Sequence, residues 1–165
     1  MELQIRPASE AHAGAMAAIY AHYVLNATCS FETEPPDEQE MARRLRTLVA
    51  QGLPCLVALR GTELAGYAYA GRYRERPAYR HTLEDSIYVA DGCRGSGIGR
   101  ALLQALLERA AAGGHRQMVA VVGDSANRGS IALHERAGFR QVGVLRDVGF
   151  KFGRWLDTVL LQRAL

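Results

Sequence analysis

Two adjacent carboxylates, Glu84 and Asp85, stand inside a run that otherwise reads as a strand, Thr82 to Ala90. Strand neighbours point to opposite faces, so Leu83, Asp85, Ile87 and Val89 share one face and Glu84, Ser86 and Tyr88 the other. In a central strand both carboxylates cannot face solvent, and a buried carboxylate without a partner is costly. At least one of them therefore has a partner or a task. A carboxylate can take a proton from an ammonium group, directly or through water, and so free a nitrogen lone pair to attack a thioester. Glu84 is the expected base; the plain alternative is an ion-paired or edge-strand glutamate.

The same strand runs into alternating glycines, Gly95, Gly97 and Gly99, and then into a Leu/Ala-rich helix. A glycine loop between strand and helix leaves backbone N–H groups unpaired, and the helix dipole adds partial positive charge. Absence of a Cβ lets a phosphate approach closely, and Arg94 and Arg100 add formal charge. The loop is not a Walker loop, because Gly99 is followed by Arg100 and Ala101 rather than Lys-Ser/Thr. Nor is it a dinucleotide loop, because the third glycine place falls on Arg100 or Leu102. What stands is Arg-x-x-Gly-x-Gly over Arg94, Gly97 and Gly99. A bare helix N-terminus without a ligand is the alternative.

Upstream lies Arg72-Tyr73-Arg74-Glu75-Arg76-Pro77-Ala78-Tyr79-Arg80, a basic loop leading into Glu84. The planar arginine fork suits oxyanions such as carboxylate or phosphinate. Arg74, Glu75 and Arg76 with Glu84, Asp85 and Ser86 make the expected substrate side, against the reading of a solvated basic turn. Downstream, Asn127 can cap a helix that carries Ser130 and His134.

These motifs resemble those of the GNAT N-acetyltransferase superfamily, and within it the phosphinothricin and methionine sulfoximine acetyltransferases. The resemblance runs over essentially the whole chain. Arg94, Gly97 and Gly99, with Gly95, Ser96, Ile98 and Arg100 between and beside them, are similar to its acetyl-CoA pyrophosphate loop. Asn127, Ser130, Gly138 and Phe139 resemble the helix whose asparagine reaches the pantetheine arm. His134 stands where many members have a tyrosine that protonates the departing thiolate, and histidine there is typical of the subgroup. Pro77, Tyr79, Thr82 and Glu84 match its substrate loop, and Ser30–Pro35 and Gly149–Asp157 match it as well.

The resemblance implies an α/β fold (α+β in some schemes). This is a mixed sheet of about seven strands with splayed central parallel strands and about four helices. It also implies acetyl-CoA as co-substrate, no metal, and backbone pairing of the pantetheine by Ile87, Tyr88 and Val89. The acceptor it implies is the amino group of phosphinothricin, methionine sulfoximine or methionine sulfone. Homodimers are usual in the subgroup. Rival readings are acetylation of a protein N-terminus or lysine, and a non-catalytic acyl-CoA sensor.

The elements that must position these groups are legible as well. Leu3 to Arg6 reads as a strand ending at Pro7, and Ser9 or Glu10 opens a helix with Met16, Ile19, Tyr20, Tyr23 and Val24 on one face. Asp37 and Glu40 predict a capping box, and the helix they start stops at Gly52. Cys55–Arg60 and Leu64–Tyr73 predict a hairpin. The helix after the glycine loop carries Leu103, Leu106, Leu107 and Ala110 on one stripe and ends at Gly113. Met118–Val122 predicts a parallel strand buried on both faces. Phe139–Leu145 and Trp155–Gln162 are the last strands.

The 165 residues predict one domain with a substantial core. A formal charge of +3 is too small to argue nucleic acid, and three scattered cysteines argue against a disulfide framework or zinc site. With no signal-like N-terminus and no spanning run, a cytoplasmic protein free of the membrane is expected.

Overall fold

The computed structural model describes residues Glu2–Leu165. Seven strands form one sheet in the order β1-β2-β3-β4-β5-β7-β6. They are β1 (Leu3–Pro7), β2 (Cys55–Arg60), β3 (Glu63–Arg72), β4 (Thr82–Val89), β5 (Gln117–Gly123), β6 (Arg140–Lys151) and β7 (Arg154–Ala164). The helices are α1 (Ala13–Asn26), α2 (Glu38–Ala50), α3 (Ile98–Ala112) and α4 (Arg128–Arg136). Every neighbouring pair is antiparallel except β4 and β5. That parallel pairing runs from Thr82↔Gln117 to Asp85↔Ala120 and stops, although both strands continue. The central strands are therefore splayed, as expected.

The sheet is covered on both faces. Met16, Tyr20 and Val24 of α1 and Met41 and Leu45 of α2 pack on Val57, Leu59 and Tyr67. On the other face Leu102, Leu103, Leu106 and Leu107 of α3 pack on Ala68, Leu83, Met118 and Leu161. Burying each such leucine contributes roughly 1.5–3 kcal/mol, so this stripe is what holds the glycine loop against the sheet.

Local signals held with small differences. Ser9 precedes a short 3₁₀ turn, Glu10–His12, which leads into α1. Asp37 caps α2 by accepting from the Glu40 amide at 2.8 Å. The reciprocal half of the box is not made, because the Glu40 carboxylate is taken by Arg43 and Arg44 at 2.7–2.9 Å.

Two expectations are corrected. β5 is buried on one face only: Met118 and Ala120 are enclosed, but Val121 is 39% exposed. The reason is that α1 packs chiefly on β3 and β4 and α2 on β2, which leaves β5 at the margin of this layer. The last hairpin is also longer than the pattern indicated, with β6 running to Lys151 rather than Leu145. Its two-residue turn is Phe152-Gly153, at φ 51° and 72°. Such turns usually carry Asn-Gly or Asp-Gly, and a phenylalanine in the first place hides the signal.

Candidate active site

Where β4 and β5 part, a cleft of about 1370 Å³ opens between them. Its walls come from the β4 edge, the glycine loop, the end of β5 and the start of α4. In the loop, Gly95 and Gly97 have φ of 72° and 82°, left-handed backbone that a side chain resists. A Cβ at Gly97 would meet nothing within 4 Å, so conformation rather than crowding calls for glycine there. The first α3 bond runs from the Ala101 amide to the Gly97 carbonyl at 3.0 Å. The amides of Ile98, Gly99 and Arg100 thus lack intrahelical partners and can receive an anion. Arg94 and Arg100 both line the cleft, and the Arg94 guanidinium lies 5.1 Å over the Tyr23 ring. The Ser96 hydroxyl turns inward to the Cys93 carbonyl and closes the loop on itself.

The β4 edge is the second wall. The Ala90 amide donates to the Ala65 carbonyl on β3 at 2.9 Å. Backbone groups alternate between edges along an antiparallel strand, so those of Tyr88 face β3 and those of Ile87 and Val89 face the fork. At Val89 the edge is already engaged by Tyr23. Its hydroxyl donates to the Val89 carbonyl at 2.6 Å and accepts from the Val89 amide at 3.3 Å. Asn127 spends its side-chain oxygen on the Ser130 amide at 3.3 Å, the capping bond, and both residues line the cleft.

The two carboxylates go to opposite faces of β4. Glu84 lies on the α1/α2 face and is part-buried. Burial pushes its carboxyl above the ordinary value, the neighbouring Asp85 charge adds to this, and Arg74 acts in the opposite direction. Arg74 is thus close enough to feel Glu84, and its guanidinium stacks 5.0 Å over Tyr73. Arg74, Glu75 and Arg76 are exposed, and neither they nor Glu84 are part of the cleft lining. Ser86 lines the cleft and is the register partner of Tyr69 on β3.

Asp85 finds a partner that the sequence did not disclose. Its Oδ2 lies 2.7 Å from His134 Nε2, with side chains 1% and 6% exposed. His134 Nδ1 lies 2.7 Å from the Ser130 carbonyl. A carbonyl only accepts, so Nδ1 carries a proton, and a second proton lies between Nε2 and Oδ2. Burial pushes the His134 pKa down, but the hydrogen bond and charge of Asp85, with the Ser130 carbonyl, carry it above the ordinary imidazole value.

Three features of the cleft were not anticipated from sequence. Asp124 takes Thr28 at 2.6 Å, the Ala126 amide at 2.9 Å and Arg154 at 3.0 Å. Lys151, 5% exposed, donates to the Ala27 and Ser30 carbonyls at 2.8 and 2.6 Å. Phe31 covers Gly149 and Gly123, where a Cβ would collide with its ring. Together they fix the segment after α1 against the open end of the fork. Among the described residues no three of His, Cys, Asp and Glu gather as a metal site would require.

Splayed parallel strands, a left-handed glycine loop at a helix start and a carboxylate at the fork define an acyltransferase site. The chain belongs to the acetyltransferase (GNAT) family, whose model matches residues 16–139. It is similar to a phosphinothricin N-acetyltransferase of Alcaligenes faecalis, 56% identical over 151 residues, 92% of this chain and 77% of that protein. It is 43% identical to an L-methionine sulfoximine/L-methionine sulfone acetyltransferase of Pseudomonas aeruginosa, over 98% of this chain and 94% of that one. Among solved structures it resembles a phosphinothricin acetyltransferase of Sinorhizobium meliloti in complex with acetyl-CoA. That match has TM-score 0.96 and 46% identity and covers 100% of this chain and 89% of that one. The protein is an N-acetyltransferase.

Proposed function

We propose that the protein transfers the acetyl group of acetyl-CoA to the amino group of a small amino-acid analogue bearing an oxyanion. Phosphinothricin, methionine sulfoximine and methionine sulfone are the acceptors in view, after the names of the relatives. One observation carries the reading: Glu84, part-buried on β4 one residue before the pairing with β5 ends, has its carboxyl raised by burial and by Asp85, with the charge of Arg74 acting the other way. A base on β4 within the field of a cation from the preceding loop suits an acceptor with an ammonium and an anionic group.

The residues present suit acetyl-CoA. The free amides of the α3 start, Gly95, Gly97, Arg94 and Arg100 take the pyrophosphate. The Ile87 and Val89 edges pair with the pantetheine amides, and Asn127 and Ser130 stand beside its arm. When bound, the thioester supplies an activated acyl carbon. Glu84 accepts the ammonium proton, directly or through water. Arg74, with Arg76 from the same loop, orients the acceptor's anionic group. His134 is the expected acid for the sulfur, and to act it must release the Nε2 proton that it shares with Asp85.

The protein acts as one acetyltransferase unit over residues 1–165, in the cytoplasm, and as a homodimer. Support for the dimer is an apolar surface on the last hairpin, where Val148, Phe150, Phe152 and Trp155 are 54–63% exposed. No helix among the described residues is long and apolar enough to cross a membrane. A panel of amines with acetyl-CoA and a free-thiol readout tests the reading. Turnover of the three amino-acid analogues is expected, and preference for spermidine or a basic peptide overturns it.

A further inference from the structure

Lys151 and Arg154 are register partners where β6 turns into β7, so their side chains leave the hairpin on one face. Their chain neighbours Phe150 and Trp155 take the other. Lys151 is buried and spends its ammonium group on the Ala27 and Ser30 carbonyls. Arg154 reaches the end of β5, where its Nη2 donates to Asp124 Oδ2 at 3.0 Å. Asp124 is itself fixed. Its backbone is left-handed, with φ 69°, and it accepts from the Thr28 hydroxyl at 2.6 Å and the Ala126 amide at 2.9 Å. The Thr28 bond first, then the Ala126 amide and Arg154, hold its carboxyl below the ordinary range against the effect of burial. The Asp124 side chain is 10% exposed and that of Arg154 56%. A guanidinium carries several N–H donors, and among the described residues this one makes a single hydrogen bond. Its other donors are available at the cleft wall.

Four arginines line the cleft: Arg94, Arg100, Arg136 and Arg154. Arg94 and Arg100 belong to the glycine loop, and Arg136 ends α4, the helix that starts just after Asp124. Arg154 is therefore the arginine at the end where β5 stops and the last hairpin turns. With acetyl-CoA gripped at the glycine loop, this end is left for the acceptor. Its wall is Thr28, Cys29, Gly123, Asp124, Phe152 and Arg154.

We infer that Arg154 receives the oxyanion at the far end of the acceptor and so sets a preference for amino-acid analogues with a charged side chain. The inference rests on the acyl-transfer reading above and deepens it. The acceptor's α-carboxylate is bonded to the carbon that bears the amine, so it stays near Glu84 and within the field of Arg74. A phosphinate on the side chain lies several bonds further out and needs a cation of its own. A guanidinium meets two oxygens of such a group with parallel N–H bonds. An arginine already tied to a fixed carboxylate has less freedom to lose on binding, so more of the contact appears as affinity. Methionine sulfone offers oxygens in a similar place without the charge, and takes an ordinary hydrogen bond from Arg154. A polyamine or lysine tail brings a cation against it and is disfavoured.

Steady-state kinetics of the natural protein and Arg154→Gln, with phosphinothricin and with methionine sulfone, test this. Glutamine keeps a donor and removes the charge. A hydrogen bond to a charged group is equivalent to roughly a 10- to 150-fold change in affinity, and KM for phosphinothricin should rise by that order. KM for methionine sulfone should rise by less than about 10-fold. KM for acetyl-CoA and both kcat values should hold. Arg154→Lys should recover part of the phosphinothricin KM, since it returns the charge without the planar pair of donors. An ion pair with one exposed partner adds little stability, so Arg154→Gln should melt near the natural temperature. If it does not fold, Arg154→Lys carries the same comparison, with a rise for phosphinothricin alone. An equal rise for both acceptors gives Arg154 to the shared α-carboxylate or to the shape of the hairpin, and overturns the inference. An unmoved KM for phosphinothricin overturns it as well. In both cases turnover by the natural protein leaves acyl transfer standing. A natural protein that acetylates neither compound removes the acceptor reading and this inference with it.

Discussion

The Tyr23 hydroxyl bridges both backbone groups of Val89, donating to the carbonyl at 2.6 Å and accepting from the amide at 3.3 Å. These groups lie on the β4 edge that β5 has left. An extended ligand adding itself to that edge needs the same amide and carbonyl. Tyr23 therefore holds the edge in shape and competes for it. Tyr23→Phe should free the Val89 groups and tighten acetyl-CoA binding. A hydrogen bond contributes a net of about 0.5–1.5 kcal/mol, so the Kd should fall by roughly 2- to 12-fold. Calorimetric titration with acetyl-CoA measures it; weaker binding would show that the hydroxyl belongs to the ligand's grip.

Gly97 and Gly99 should respond differently to substitution, although both belong to the loop motif. Gly97 has φ 82°, and a β-carbon there strains the backbone even though the space is open. Gly99 lies inside α3, where a Cβ would stand 3.5 Å from Leu133 Cδ2, an ordinary contact. Gly97→Ala should cost about 1–2 kcal/mol and swing the loop amides, while Gly99→Ala should fold normally. At 100 times the Kd, acetyl-CoA should raise stability by about 2.7 kcal/mol in the natural protein. Thermal shifts with and without ligand should show that gain reduced in Gly97→Ala. An undiminished gain there removes the pyrophosphate from this loop.

Glu84→Gln should lower kcat/KM by roughly 10²- to 10⁴-fold near neutral pH. The pH dependence has a definite sign. Glu84 accepts a proton only when ionised, and burial with the Asp85 charge raises its pKa. Activity should therefore fall as pH falls through that raised value, at higher pH than an ordinary glutamate at about 4.3 would give. The acidic limb should disappear in Glu84→Gln, and the deficit should shrink at high pH where free amine abounds. A full-rate variant would move the base elsewhere.

Much of this site was legible because its signals are local. Strand alternation alone separated Glu84 from Asp85, and the burial cost of a carboxylate demanded a partner for one of them. The partner was not legible, because His134 is 49 residues away on another element. Only the packing of α4 against the fork joins them. Tyr23 was readable as a helix-face residue, yet the same periodicity describes a core tyrosine, and its hydroxyl role depends on where β4 ends its pairing. Lys151 and Asp124 were missed for a related reason. They bond backbone carbonyls and a loop threonine, and such partners leave no side-chain pattern in sequence. The one-sided burial of Val121 needed the reach of α1 and α2, which no strand pattern encodes.

The last hairpin supports the remaining prediction. On β6 and β7, Phe150 and Trp155 are register partners with ring centroids 5.0 Å apart, and they are 59% and 63% exposed. Lys151 turns the other way, buried beneath the segment after α1, so the aromatic residues lie on a face with no cover from this chain. Contiguous exposed apolar surface of this kind marks an interaction site, and aromatic anchors carry most of the energy of such contacts. A second copy of the chain is the proposed partner. Trp155→Arg should leave the fold intact, since the ring is exposed, but should place a charge in the contact. Sedimentation should then shift from dimer to monomer. Phe152 and Arg154 of the same hairpin line the cleft, so the monomer should also show a raised KM for the amine acceptor. KM for acetyl-CoA, which is gripped at the glycine loop on the far wall, should change much less. A natural protein that sediments as a monomer at micromolar concentration rules out the dimer, and an unchanged acceptor KM in monomeric Trp155→Arg separates assembly from catalysis.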